Sequence, residues 1–221
     1  YTGNTVTMTG TSVINGAIEV SAENDAPVAL RLNAGTINGA IVMAGGSEKA
    51  GIVVTKTDAV AIEAPADYKW VDNTLVKKDY VAQIGEMKYE TLQEAVGAAA
   101  AGATITMIAD EDVKQTIYVN KQVTIDLNGK KLSNSEDIWD SSVYDWSLIS
   151  VRSGANLTIT GNGTLDAKEN DCYAIDVRDY DAKVTVLNGT FVGNVSAVYV
   201  RGGELNIQGG SFDIKQLNDS D

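Results

Sequence analysis

The sequence predicts an all-β chain folded as a parallel β-helix, a solenoid of stacked coils, with one short capping α-helix. Three observations carry that reading. A Val-Arg step recurs as Ser150-Val151-Arg152, Asp176-Val177-Arg178 and Tyr199-Val200-Arg201, each closing a short alternating strand. The arginines stand 26 and then 23 residues apart, a period that belongs to repeat architectures. The pentapeptide Ile14-Asn15-Gly16-Ala17-Ile18 returns unchanged as Ile37-Asn38-Gly39-Ala40-Ile41. Finally, Asn and Gly recur at corners, where a turn in every coil needs positive φ.

Taken in order, residues 5–66 form a first run of coils, with alternating strands at Thr5-Val6-Thr7-Met8, Ala29-Leu30-Arg31-Leu32 and Ile52-Val53-Val54-Thr55. Asp67 to Asn73 and Thr74 to Lys78 read as a hairpin closing that run. A helix is expected from Tyr89 to Ala101, because Leu92, Ala95, Val96 and Ala99 share one face and Gly102 stands where a C-terminal cap belongs. A helix there would cover the open end of a second solenoid. The second run, roughly 103–221, has corners at Leu127-Asn128-Gly129, Gly161-Asn162-Gly163, Leu187-Asn188-Gly189 and Gln208-Gly209-Gly210. The large apolar residues after them (Leu132, Leu165, Phe191, Phe212) are expected to stack inward. The domain division that follows is 1–78 and 79–221.

Composition excludes several functions. Net charge is −13, so non-specific nucleic-acid binding is not expected, since phosphate contacts need clustered Lys and Arg. Histidine is absent, which removes the commonest general base and zinc ligand. No Asp-x-Asp-x-Asp-Gly spacing points to calcium, and neither a metal nor a cofactor is expected. A single cysteine, Cys172, excludes an internal disulfide and reads as a small apolar filler. The small-apolar stretch Ala95 to Ala109 is too short to span a bilayer, so no membrane insertion is expected. The chain opens on Tyr1 with no charged-then-apolar leader, and any targeting signal is expected outside it. Asn-x-Ser/Thr at Asn156, Asn162, Asn188, Asn194 and Asn218 reads as corner chemistry rather than as glycosylation acceptors.

Tyr80-Val81-Ala82-Gln83-Ile84-Gly85, then Tyr89 to Val96, then Val123-Thr124-Ile125-Asp126-Leu127-Asn128-Gly129 resemble a repeat module of large bacterial cell-surface proteins. Such modules are similar to right-handed parallel β-helices of the pectate lyase-like fold and are often adhesin-like. The resemblance is specific over about 67–132. It implies a right-handed helix, a secreted or cell-surface location, and the tail of one module joined to the head of the next. Pectate lyase-like enzymes use Arg or Lys as base with Asp or Glu on Ca²⁺, and polygalacturonase-like relatives use an Asp cluster. No residue-by-residue match to either motif is found, so only the scaffold carries over. Acids do neighbour one another at Asp166, Glu169, Asp171, Asp176, Asp179 and Asp181, as acidic turns on so negative a chain will.

Two sets of residues are candidates for ligand contact. The Arg152, Arg178 and Arg201 stack would grip an acidic sugar polymer through bidentate guanidinium contacts, or else form a surface ladder balanced by Asp176, Asp179, Asp181 and Glu204. The second set lies in a long insertion between Leu132 and Leu148. There Trp139, Tyr144 and Trp146, interleaved with Asp140 and Asp145, offer flat rings and acids to a sugar, or cover the coil's flank. The expected function is therefore a non-enzymatic module for adhesion or glycan binding, with a glycan or host-surface ligand as partner. A lyase or hydrolase acting on an acidic polysaccharide, or a passive spacer, are the alternatives. End-to-end self-association is expected if terminal strand edges are left bare.

Overall fold

A computed structural model describes residues 4–22, 26–45, 51–138, 142, 145–168 and 172–216 of the 221. The chain divides into two compact units, Tyr1–Asp79 and Tyr80–Asp221. Both are β-solenoids of stacked parallel strands, about eight turns in all.

The first unit winds three coils from β1 (Asn4–Met8), β2 (Val13–Ile14), β3 (Ile18–Val20), β4 (Val28–Leu32), β5 (Thr36–Ile37), β6 (Ile41–Met43) and β7 (Ile52–Lys56). Strands β1, β4 and β7 stack in parallel, bringing Val6, Leu30 and Val54 into one column. The repeated pentapeptides lie one on the other, and Asn38 Nδ2 donates to Asn15 Oδ1 at 2.8 Å. At Gly39 a Cβ would fall 2.0 Å from the Gly16 carbonyl oxygen, so a side chain cannot be carried there. The core is Met8, Val20, Leu30, Leu32, Ile37, Ile41, Val54 and Val60. The predicted hairpin closes it as β8 (Tyr68–Val71) and β9 (Thr74–Lys77), with β9 antiparallel to β7. Asp72 and Asn73 both take positive φ (45° and 63°), which suits the primed turns that match strand twist.

The second unit begins with a cap made of β10 (Ala82–Ile84), β11 (Met87–Tyr89) and α1 (Leu92–Ala98). The helix is shorter than its periodicity predicts. Thr91 is the N-cap, accepting from Glu94 N at 3.1 Å, and Leu92, Ala95 and Val96 face the core. It ends at Ala99 rather than at Gly102, because Lys121 reaches up and donates to the Gly97 and Ala99 carbonyls at 2.9 and 3.2 Å. Tyr89 is taken by the antiparallel β10–β11 pair, and Gly102 (φ 83°) turns the chain into the first coil.

Five coils follow: β12 (Ala103–Met107), β13 (Glu111–Asp112), β14 (Ile117–Val119), β15 (Gln122–Asp126), β16 (Lys131–Ser133), β17 (Ser147–Val151), β18 (Asn156–Thr160), β19 (Thr164–Asp166), β20 (Tyr173–Val177), β21 (Lys183–Val186), β22 (Thr190–Gly193), β23 (Val198–Val200), β24 (Glu204–Ile207) and β25 (Ser211–Ile214). They stack into three parallel sheets, β12-β15-β18-β21-β24, β13-β16-β19-β22-β25 and β14-β17-β20-β23. The expected inward column is present. Leu132, Leu165, Phe191 and Phe212 are in register, and the two Phe rings stack at 5.0 Å and 13°. Ile105, Ile125, Ile159 and Val186 form a second column, and Val119, Val151 and Val177 a third, all fully buried. Each such side chain contributes about 1.5–3 kcal/mol by leaving water, so the bore is the main source of stability. Asn128 and Gly129 turn a corner at φ 48° and 73°, and Asn188 Nδ2 donates to Asn162 Oδ1 at 2.6 Å between successive corners.

Candidate functional site

Outward positions distinguish the sheets. On β12-β15-β18-β21-β24 the outward column is Thr104, Thr124, Thr158, Thr185 and Asn206, uncharged and at least partly solvated. On β14-β17-β20-β23 it is Tyr118, Ser150, Asp176 and Tyr199. There Leu148, Ser150, Ala174 and Asp176 are buried although they point away from the bore. The long insertion between β16 and β17 returns onto this face. Its residue Asp145 is fully buried beside Ser150, Arg152 and Arg178.

Arg152 and Arg178 hold the same place in successive coils, their amides donating to Val119 and Val151 carbonyls at 2.8 and 3.0 Å. That stacking fixes where each guanidinium starts. Arg152 Nη2 pairs with Asp145 Oδ2, and its guanidinium lies 5.1 Å from the centre of the Tyr118 ring. Arg178 Nη1 lies 3.4 Å from Asp176 Oδ2 and 4.0 Å from Asp145 Oδ1. Ser150 Oγ donates to Asp145 Oδ1 at 3.4 Å. Burial pushes the Asp176 carboxyl above its ordinary pKa, although the Arg178 guanidinium acts to lower it and the Asp145 charge adds to the rise. Burial, followed by a hydrogen bond to Asp145, likewise raises the Tyr118 phenol.

The arginine stack is thus divided in its side chains. Arg152 and Arg178 are engaged by buried acids. Arg201 continues the backbone ladder through Val177 O at 3.1 Å, but it is exposed and has no ion pair among the described residues. Of the four acids expected to balance the stack, only Asp176 meets an arginine. Asp179 accepts from Ser153 N and Asp181 from Ser153 Oγ, both at 2.9 Å, which lowers the Asp181 pKa. Glu204 pairs with Lys183 at 3.1 Å. Trp146 is half-buried, and its carbonyl accepts from Tyr173 N at 2.6 Å. Trp139, Asp140 and Tyr144 lie outside the described residues, as do Glu169 and Asp171.

The structure adds aromatic residues that the sequence did not single out. Tyr118 fills the column of Ser150 and Asp176, and Tyr173 stacks on Tyr199 with ring centres 4.8 Å apart. Tyr118-Val119-Asn120 is an earlier copy of the Val-Arg step with Asn in place of Arg, the one sequence signal that points to it. The insertion is tied down elsewhere too. Asn134 accepts from Lys168 N at 2.8 Å, Lys168 Nζ pairs with Asp137 at 2.9 Å, and Ser135 donates its N–H to Asp112 at 2.6 Å.

On the neighbouring sheet Asp166 lies 2.5 Å from Lys131 Nζ and 2.6 Å from Lys215 Nζ. Burial there works to raise its pKa, but the two ammonium groups outweigh burial and hold it below the usual range. Cys172 is buried, and desolvation pushes its thiol up to about 12. Among the described residues no group of three or more potential ligands is arranged to hold a metal, and no helix is long and apolar enough to cross a membrane. Compared with known proteins, the chain matches no family model, no curated protein and no solved structure.

Proposed function

We propose that this chain is a non-enzymatic module of a secreted or cell-surface bacterial protein, adhesin-like in kind, and that its insertion between β16 and β17 binds a glycan. One observation carries the reading: the longest departure from the coil is fastened to the sheet by buried charges. Taking Asp145, Asp176 and the two guanidiniums from water costs several kcal/mol per ion before attraction repays it. Aliphatic packing would cover a plain spacer's flank without that cost. The charges instead fix where the insertion rejoins the sheet at Asp145, an anchored base of the kind a ligand-recognising loop needs. The composition of the insertion, with Trp and Tyr among Asp, Asn and Ser, supplies ring faces and acceptors for a sugar.

The alternative, a lyase or hydrolase acting on an acidic polysaccharide, has one observation in its favour: Arg178 stands beside two carboxylates, one with a raised pKa. Against it, Asp145 and Asp176 are 0% and 1% exposed, so a polymer has no access to either. Glycan-array binding by the purified chain, set against a variant with residues 136–144 replaced by a short Gly-Ser linker, tests the proposal. Binding lost in the variant supports it. Binding to no glycan, or equal binding by both proteins, removes it. Release of new chain ends from a uronic-acid polymer would establish the alternative.

A further inference from the structure

The third coil of the first unit is wound on one side only. There β7 lies on β4, and β9 pairs with β7 in turn, so that sheet continues past the third rung. The other two sheets stop at two strands each, β2-β5 and β3-β6. The chain leaves the coil after Thr57, whose amide still donates to the Leu32 carbonyl at 3.0 Å. Among the described residues, none from 58 to 66 bonds through its backbone to β5 or β6. Pro65, with no N–H to give, stands near the end of that crossing.

The consequence falls on β6. In a parallel pair the backbone groups of alternate residues turn to opposite sides. Ala40 O accepts from Ile18 N and Ala44 N donates to Val20 O, both at 2.9 Å, on the β3 side. The N–H and C=O groups of Ile41 and Met43 therefore face the other way, with no partner among the described residues. Ile41 is only 3% exposed, and backbone polar groups at so buried a position are nearly always bonded. Beside it opens a cavity of about 550 Å³, walled by Ile41 on one side and Ala61, Ile62, Glu63, Ala64 and Pro65 on the other. Ligand sites span roughly 300–1,000 Å³.

We propose that this groove takes an extended peptide segment of another protein, which adds to β6 as the strand that the third coil leaves out. The edge selects a peptide, because donors and acceptors alternating along one line at strand spacing are matched by a second main chain. The walls select its side chains. Ala61, Ala64 and Pro65 are small and apolar, so the side chains turned towards them must be apolar too. Glu63 is the only charged residue among the described walls, and it favours a Lys or Arg on the guest over an acid. A sugar or an inorganic ion presents no such alternating row. The groove lies in the first unit and does not depend on the insertion in the second.

Amide hydrogen exchange followed by NMR tests the open edge. In the free chain Ile41 and Met43 should exchange about tenfold faster or more than Val42 and Ala44, whose amides are held by β3. An array of short peptides alternating apolar and polar residues, in Lys-bearing and Glu-bearing sets, tests the guest. The Lys-bearing set should bind, and a bound peptide should slow exchange at Ile41 and Met43. Ala64→Trp, which fills the groove, should abolish binding, and Glu63→Lys should turn the preference towards the Glu-bearing set. Both positions lie on the solvated crossing, and matching far-UV circular dichroism checks the fold. If Ala64→Trp fails to fold, Glu63→Lys decides alone. Equal protection of Ile41, Val42, Met43 and Ala44 in the free chain overturns the proposal, because the edge is then already covered. So does an array with no bound peptide, or binding that the folded variants leave unchanged.

Discussion

Two outward faces of the five-coil unit stand on equally regular strands and solve the problem of a solvent-facing column in opposite ways. The threonine face repeats one side chain through four coils and leaves it to water and to its neighbours, so nothing on it depends on any single residue. The Asp145–Asp176 face changes residue from each rung to the next and buries charges that are paired with one another. Regular repetition is enough to build a coil. The irregular face adds the holding of an insertion, and its stability rests on a few atoms.

That contrast predicts a graded series of effects. Asp145→Ala removes the carboxylate that Arg152 pairs with and should cost about 3–5 kcal/mol in denaturant unfolding of the second unit, because the largely buried Arg152 guanidinium loses its counter-charge. A cost under about 1 kcal/mol would mean that the network is solvated and the two faces are alike. Asp176→Asn keeps the shape and removes one charge whose burial is itself unfavourable, so about 1 kcal/mol or less is expected near neutral pH.

The pH dependence of that variant sharpens the point. Because the folded pKa of Asp176 is raised, the native state binds the proton more readily than the unfolded chain does. Its contribution is least favourable when ionised and improves as pH falls through the raised value. Wild type should therefore gain stability relative to Asp176→Asn on mild acidification. Asp166 runs the other way: held low by two lysines, it stabilises at neutral pH, and that share is lost as pH falls through its depressed value. A stability difference between wild type and Asp166→Asn that shrinks in acid would check the sign. Thr158→Val on the threonine face should change stability by no more than about 0.5 kcal/mol at any pH. A larger loss would show that the ladder too is held by specific bonds.

Repetition made the scaffold legible in the sequence. Corner spacing located Leu132, Leu165, Phe191 and Phe212, and the Val-Arg steps located the stacked arginine backbones. The helix was overextended because Ala98 to Ala101 satisfy helical periodicity equally well, whereas Lys121, 22 residues beyond Ala99, supplies the donor that ends it. Spacing likewise fixes where Arg178 stands but not which carboxylate it meets. Asp145 belongs to a segment with no register, and its partners are set only when the insertion folds back. Tyr118 was missed because its copy of the step lacks the arginine.

Cys172, set in the core between the returning insertion and the coil that follows, has a further consequence. A thiol with a pKa of about 12 is almost wholly protonated at neutral pH, and the protonated form does not attack alkylating or disulfide reagents. Reaction at the chain's only cysteine must therefore wait until the surrounding coil opens and water reaches the sulfur. The protein thus carries its own clock. The labelling rate of one native residue times the breathing of the middle coils, with no probe introduced and no neighbour disturbed.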